Sequence, residues 1–392
     1  MSDALKQLFN DFDRGHLSRR QLLRALGIAT VAGPVAAAMR PVAALGQGRC
    51  ADAGRSGPGC DSTPAKLPFD ATGWKTVALD RFTMQVADYE KDAAFFNAIV
   101  GWKVRSDDGK QAVLDIDDFG SMVIRGGYTP PPPASPANPP AGGAATAGAG
   151  ASGAGAAAGG AATTGAGAAG GGRGGGGGRG GGRRYVVDSF CWGISPWDTK
   201  KVEAALKTRG LDPVADHEGK DFQSFHVKAP GGFDVQISNA NGKNRRQGEA
   251  KGKLLEPGTI EPTGWKTVWL DHISYGCANY KDEAAFYKAL LGWDLRPDEG
   301  SQNEAHIGDV GNIIIRRGTG IDHIAFGITP WDPDAVGAEL QKRGLSHSID
   351  TGGKGSTPEA LRAAPYQSYH TNSPSGFTLQ ISKTTHDTRD VR

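Results

Sequence analysis

The segment GIDHIAFGITPWD (residues 320–332) places a histidine, His323, inside an apolar strand pattern, one residue after an aspartate. A second Asp-His pair, Asp271 and His272, lies in WLDHISYG, again among residues that read as a strand. A neutral imidazole nitrogen ligates divalent metals, and imidazole also serves as an acid or base near neutral pH; two imidazoles from separate strands can grip one ion. The chain carries its own internal comparison. VVDSFCWGISPWD (186–198) keeps the closing PWD but has Ser189 where His323 stands. A residue that changes inside a repeated frame is not the one holding the frame together.

Parity sorts these side chains, because successive residues of a strand face opposite ways. His272, Ser274 and Gly276 share one face, opposite Asp271, Ile273 and Tyr275; His323, Ala325 and Gly327 oppose Ile324, Phe326 and Ile328. In GFTLQIS (376–382), Thr378, Gln380 and Ser382 oppose Phe377, Leu379 and Ile381. The bulky faces must pack on helices. The small or polar faces are left to line a cavity on the concave side of a curved sheet, and His272, His323 and Gln380 point into it. Ser274 and Thr378 belong to the same wall as substrate-contacting candidates, and His306, in NEAHIG, lies on an inner strand that can join them.

The elements that must position these residues come from a duplication. GWKTVALDRF from Gly73 recurs as GWKTVWLDHI from Gly264, an offset of 191 residues, and APGGFDVQIS (229–238) recurs as SPSGFTLQIS (373–382). Each copy divides again into strand, helix and further strands. The helix YKDEAAFYKALLG presents Ala285, Phe286, Ala289 and Leu290 on one stripe, and DAVGAELQKRG is closed by Gly344. The expected architecture is α+β: two tandem domains, each of two βαβββ modules forming a curved mixed sheet around a cavity, at 73–240 and 263–385. They are joined by a linker at 241–262 and followed by a tail at 386–392. A Pro/Ala/Gly/Arg insert over 129–183 splits the first domain; 21 of the 59 glycines fall within 141–182, a composition expected to stay disordered.

Paired βαβββ modules, a histidine one residue after Asp in the opening strands, and a closing P-x-G-(3)-Q strand resemble the vicinal oxygen chelate superfamily, which includes glyoxalase I, extradiol dioxygenases and bleomycin-resistance proteins. The resemblance implies a small-molecule substrate with vicinal oxygens and a divalent metal, with Fe(II) or Mn(II) favoured and Zn(II) or Ni(II) also used in the family. It implies His272 and His323 as first-strand ligands, and Gln380 at the last-strand ligand position, where Glu is usual. Ile315, in GNIIIRR, matches the other last-strand position, which favours the two-histidine pattern of the dioxygenases over glyoxalase. His370 matches a position near the metal and is the implied acid or base. A neutral Gln380 leaves more of the charge on a bound dication and weakens its hold. A non-catalytic binder of a small molecule or metal is the alternative reading.

The first domain lacks both histidines. Arg81, Ser189 and Gln236 stand at the equivalent positions, a degenerate half. Arg81 is expected to point inward beside Gln236, with Asp234 as an ion-pair partner; anchoring an anionic substrate is its sharper alternative role. Gln236 and His226 also repeat Gln380 and His370, which leaves open a purely structural role for both types.

The remaining features concern address and partners. SRRQLLR (18–24), followed by an alanine-rich, mildly apolar run, resembles a twin-arginine signal, so residues 1–46 are expected to direct export to the periplasm or beyond, with 47–72 as linker. That run is too short and broken to anchor in a bilayer. A formal charge of +2 gives no electrostatic case for nucleic acid. Cys50 and Cys60 can pair, whereas Cys191 and Cys277 read as buried thiols.

Overall fold

The structure, a computed structural model, describes residues 65–129, 184–241 and 260–389. The signal over 1–46, the Cys50 and Cys60 pair, and nearly all of the 129–183 insert and the 241–262 linker lie outside the described residues.

The first half comprises β1 (Lys75–Val86), α1 (Tyr89–Val100), β2 (Lys103–Asp107), β3 (Gln111–Ile116) and β4 (Gly120–Arg125). A second unit follows with β5 (Tyr185–Ser195), α2 (Thr199–Thr208), β6 (Val214–Ala215), β7 (Ser224–Lys228) and β8 (Asp234–Ser238). The second half repeats this as β9 (Lys266–Cys277), α3 (Tyr280–Leu291), β10 (Asp294–Leu295), β11 (Gln302–Ile307) and β12 (Gly311–Arg317). It continues through β13 (Gly320–Thr329), α4 (Pro333–Lys342), β14 (Ser348–Asp350), α5 (Pro358–Ala363), β15 (Ser368–Asn372) and β16 (Thr378–Ser382). Each half forms one mixed eight-stranded sheet, in the orders β2-β3-β4-β1-β5-β8-β7-β6 and β10-β11-β12-β9-β13-β16-β15-β14. The opening strands of the two units pair antiparallel at the centre, β1 with β5 and β9 with β13, and each also pairs in parallel with the last strand of its own unit. The fold is thus α+β, two βαβββ units per sheet, as the repeat predicts.

The sequence repeats explain themselves locally. Asp198 and Asp332, the last residue of each PWD, cap α2 and α4 by accepting from the backbone N–H of Lys201 at 3.0 Å and of Ala335 at 2.7 Å. That is the frame which tolerates a change from Ser to His upstream. Gly344 adopts a positive φ of 68° just past α4, as its position predicts. Helix α5, capped by Thr357 and opened by Pro358, is an element the helical periodicity does not reveal. Cys191 and Cys277 are buried free thiols; burial, helped by the Glu283 charge, pushes the Cys277 thiol up to about 12. No helix among the described residues is long and apolar enough to cross a membrane.

The two halves share one apolar core. At its centre lies the Gly-Trp repeat. Gly101 ends α1 with φ 73°, and a Cβ there would stand 2.6 Å from the Trp265 carbonyl oxygen; Gly292, ending α3, meets Trp74 in the same way at 2.2 Å. Trp102 then donates from Nε1 to Thr267 Oγ1 in the other half at 2.8 Å, and Trp293 donates to Thr76 Oγ1 at 3.0 Å.

Two buried carboxylates complete the contact between halves. Asp92 on α1 accepts from the Ser375 hydroxyl at 2.5 Å, and Glu283 on α3 accepts from the backbone N–H of Gly231, at the repeat-equivalent position, at 2.8 Å. Burial raises the pKa of both, against the hydrogen bonds that lower it. An acid with a raised folded pKa holds its proton longer when folded, so its contribution to stability is full below the unfolded value and is lost as pH rises through the folded one. The pair Asp92→Asn and Glu283→Gln is therefore expected to gain stability relative to the parent chain as pH rises from about 4 to 8, the span that brackets ordinary carboxylate titration. Urea denaturation at both pH values measures this; a difference that does not change with pH would contradict it.

Candidate functional site

Strands β9 and β13 bring the two Asp-His pairs together. Ala325 on β13 lies directly opposite His272, and His323 directly opposite Ser274, so both imidazoles rise from one face. His272 Nε2 and His323 Nε2 approach to 2.9 Å, with the rings edge-to-face at 5.0 Å between centroids. Gln380 lies opposite Ala325 on β16, and His370 lies opposite Gln380 on β15. The His370 ring centroid is 5.0 Å from that of His323. Ala325 is the small residue that leaves space between His272 and Gln380.

One parity expectation fails, for an informative reason. Alternation alone puts Asp271 opposite the histidine face, but the register of β9 slips at this point. Gly311 pairs with Leu270 and Ile313 with Ile273, so two residues, Asp271 and His272, oppose the single Asn312. This bulge turns both side chains toward the site. The same irregularity accompanies Asp80, Asp188 and Asp322. Two of these bulged aspartates support the histidines: Asp322 Oδ2 lies 3.0 Å from His323 Nδ1 and accepts from Arg316 at 2.6 Å, and Asp271 Oδ1 is 3.5 Å from His272 Nδ1. Carboxylates at Nδ1 hold the proton there and leave the Nε2 lone pairs facing inward. At 2.9 Å the two Nε2 atoms share either a proton, donated by one ring to the other according to the tautomers, or a metal ion.

Gln380 is fully buried and held by its amide nitrogen. Nε2 donates to Ser368 Oγ at 2.7 Å, to Tyr366 OH at 2.9 Å and to Asp350 Oδ2 at 3.2 Å. Tyr366 in turn donates to Asp271 Oδ2 at 3.0 Å, which ties the glutamine cradle to the first histidine strand. Gln380 Oε1 has no hydrogen-bond partner among the described residues. The first half shows where that oxygen points. Gln236 Nε2 donates to Ser224 Oγ at 2.7 Å and to Asp216 Oδ2 at 2.9 Å, and its Oε1 accepts from Arg81 Nη2 at 2.8 Å. Arg81 is the repeat equivalent of His272, offset by 191. In the first half a guanidinium thus faces the amide oxygen from the repeat position that His272 holds in the second.

That arrangement corrects one expectation about Arg81. Its partners are Asp80 at 3.1 Å and Asp216 at 3.6 Å, not Asp234; Asp234 instead lies 2.9 Å from His226 Nδ1 and accepts from Lys228 at 3.2 Å. Asp80, Asp216 and Gln236 Oε1 surround the guanidinium. Ser189, the equivalent of His323, sits 2.6 Å from Thr83 Oγ1. For His226, burial favours the neutral ring, but Asp234 and Asp216 outweigh it and raise the pKa above 6.5.

The other sequence candidates fall around this core. Ser274 is buried beside His323, and its hydroxyl has no partner among the described residues. Thr378, on the other side of His323, donates to Asn372 Oδ1 at 3.1 Å. His306 lies two strands away from β9, with its Nε2 3.3 Å from Arg296 Nη1. Ile315 does not face the site: it is fully buried in the apolar core and pairs with Tyr275, while Ile314 lies opposite Ser274. A Cβ on Gly327 would stand 1.7 Å from the Thr384 carbonyl oxygen, so the chain after β16 closes that end of the face. A pocket of about 270 Å³ lined by Pro365, Tyr366, Lys383, Thr384 and Thr388 reaches the cradle through Tyr366, but no imidazole lines it.

A divalent metal fits the residues present. Two imidazole nitrogens 2.9 Å apart, with the orphaned amide oxygen of Gln380 on the neighbouring strand, are donor types that divalent metals accept. Burial is the main influence on His323 and lowers its pKa below 6.5, so the ring is neutral and able to ligate at pH 7. Among the described residues no set of three or more His, Cys, Asp or Glu side chains converges on one ion position; the third donor available is the amide oxygen of Gln380. Asp322, Asp350, Tyr366 and Asn312 are not singled out by the sequence patterns. The aspartate that precedes the site residue in all four opening strands is the signal for the first of them.

No protein-family profile matches the chain, and no curated protein matches it. Solved structures do. An extradiol ring-cleaving dioxygenase from B. fuscum is similar over 82% of this chain and 75% of its own, at 14% identity and a TM-score of 0.50. The Mn(II)-bound glyoxalase from Novosphingobium aromaticivorans covers 81% of this chain and 87% of its own at 13% identity and a TM-score of 0.49. Homoprotocatechuate 2,3-dioxygenase from Arthrobacter globiformis covers 82% of each chain at 14% identity, also with a TM-score of 0.49. Likeness at such identities concerns the fold, and the two mixed sheets of this chain have the tandem vicinal-oxygen-chelate architecture of the dioxygenase.

Proposed function

We propose that the chain is a divalent-metal-dependent enzyme acting on a small molecule with vicinal oxygens, of extradiol-dioxygenase type in preference to glyoxalase type. The observation that carries this reading is the pair of Nε2 atoms 2.9 Å apart, each imidazole backed by its own aspartate. His272, His323 and the Oε1 of Gln380 would hold the ion, with Fe(II) or Mn(II) favoured. When bound, it would act as a Lewis acid on the chelating oxygens of the substrate. His370 stands beside the pair with Nε2 unpartnered by any hydrogen bond among the described residues and 3.9 Å from Asp350 Oδ2. It is the group suited to take up and return a substrate proton at that nitrogen. Ser274 and Thr378 flank His323 and orient the substrate. The first half, with its cation built in as Arg81, serves as scaffold.

The preference for dioxygenase-like over glyoxalase-like chemistry rests on the two-histidine pattern and on Ile314, the residue opposite Ser274 on β12, which cannot ligate. We also propose that residues 1–46 export the protein through the twin-arginine route, which passes folded proteins and so suits one that acquires a metal before export.

A second reading, a binder without catalysis, draws on the burial of the pair: His272 is 3% and His323 8% exposed, and 2.9 Å is also the length of a direct hydrogen bond between two imidazoles. Elemental analysis of protein purified without chelator separates the two. The enzyme is expected to carry about one Fe, Mn, Zn or Ni per chain, as a site with three protein donors and open positions retains its ion. A chain free of metal that also fails to take it up favours the binder.

A further inference from the structure

We propose that Asp350 fixes residue 380 as a glutamine: by anchoring the amide nitrogen it makes an amide oxygen, and not a carboxylate, the group that faces the cation. The consequence for an ion rests on the metal-site reading above; the geometry does not.

The argument is one of hydrogen-bond supply. Three acceptors surround Gln380 Nε2, namely Asp350 Oδ2, Tyr366 OH and Ser368 Oγ. The two hydroxyls have no proton to spare. Tyr366 donates to Asp271 Oδ2, and Ser368 donates to the Asp350 carbonyl oxygen at 3.0 Å. A hydroxyl donates only once, so none of the three neighbours can donate to residue 380 and all three face it as acceptors. An amide provides two N–H groups, whereas a carboxylate provides none and would stand against Asp350 about as closely as Nε2 does now, 3.2 Å. Two ionised carboxylates at that separation, with residue 380 fully buried and Asp350 only partly exposed, repel.

The first half repeats the device independently. Gln236 Nε2 faces Asp216 and Ser224, and Ser224 donates to the Asp216 carbonyl oxygen. Its Oε1 faces the Arg81 guanidinium, so the cradle presents an amide oxygen to a cation in the half that has no paired histidines. Asp350 is therefore a positioning residue: the negative charge expected at the ion sits one hydrogen bond behind it.

The test compares the parent full-length chain with Gln380→Glu and with Gln380→Glu/Asp350→Asn, in which the side-chain amide introduced at position 350 can donate to the new carboxylate. Two quantities are measured, the thermal midpoint of the metal-free proteins and the affinity for Mn(II), from the EPR signal of the free ion. Gln380→Glu alone is expected to lower the midpoint and to bind Mn(II) no more tightly than the parent. The double variant is expected to recover the midpoint and to bind Mn(II) about tenfold more tightly than the parent, the scale on which supporting residues tune metal sites. If Gln380→Glu does not accumulate as folded protein, recovery of soluble protein in the double variant is the same rescue. Gln380→Glu as stable as the parent and tighter for Mn(II), or a double variant no better than the single, would overturn the inference. If no variant binds Mn(II) but the midpoint is rescued, the cradle stands and the metal reading falls.

Discussion

Trp102→Ala is expected to destabilise the folded chain by about 3–5 kcal/mol, the range for deleting a large aromatic from a packed core. The indole is 1% exposed and stacks on Phe96 of its own half, with centroids 5.0 Å apart and planes 9° from parallel. It also meets Phe326 of the other half edge-to-face at 5.0 Å and donates to Thr267 Oγ1 at 2.8 Å. Truncation therefore opens a void where the two halves meet and removes the donor to a buried hydroxyl. Trp102→Phe keeps the stack and loses only the hydrogen bond, so it is expected to cost about 0.5–1.5 kcal/mol beyond the smaller ring. The repeat supplies a replicate: Trp293 stacks on Tyr287 at 4.3 Å, meets Trp192 edge-to-face at 5.5 Å and donates to Thr76. Because the halves share a core, chemical denaturation should show one transition that shifts to lower denaturant in each variant. A Trp102→Ala midpoint near that of the parent would mean that the halves fold without leaning on this contact.

The architecture is legible because duplication and alternation are written directly in the residue types. A chain that repeats GWKTV after 191 residues and restarts a strand-helix pattern within each copy has few folds open to it. The imidazole pair is legible for the same reason, since parity is preserved along most of each strand. What parity cannot register is a bulge, which changes the count by one and leaves no mark in hydrophobicity. Alternation puts Asp271 on the wrong face on that account, and hides with it the support for His272. Ile315 is a different case, assigned by resemblance and not by parity: along β12 it is Ile314 that lies opposite Ser274. Asp350 and Tyr366 are invisible for a different reason. They lie on a short edge strand and just past a short helix, and they reach Gln380 only through tertiary pairing. Arg81 does lie beside Gln236 across 155 residues, as its repeat position and parity lead one to expect; what those patterns do not reveal is that Asp80 and Asp216 flank it.

Replacing His323 by alanine is expected to weaken metal binding by more than the roughly 10–100-fold that loss of a supporting residue costs, because a donor itself is removed and His272 Nε2 is left facing a gap. Asp322→Asn is expected to fall within that range, since it replaces the charged acceptor at His323 Nδ1, 3.0 Å away, by a neutral amide and weakens the tie to Arg316. The metal-free His323→Ala protein should also lose about 1–3 kcal/mol, the cost of stranding a buried polar group. A sharper variant is available from the chain itself. His272→Arg/His323→Ser copies the first half, where Arg81 and Ser189 stand on the same two strands. An arginine at position 272 is expected to donate to Gln380 Oε1 as Arg81 does to Gln236 Oε1, with Asp271 and Asp350 in place of Asp80 and Asp216. That protein should fold, bind no metal, and show a thermal midpoint that added Mn(II) or chelator leaves unchanged, whereas the parent midpoint rises with a saturating ion. Elemental analysis and melting curves with and without the ion read both outcomes. A graft that still binds the metal at parental affinity would place the ion away from the imidazoles, because the guanidinium and the ion cannot both face the same amide oxygen.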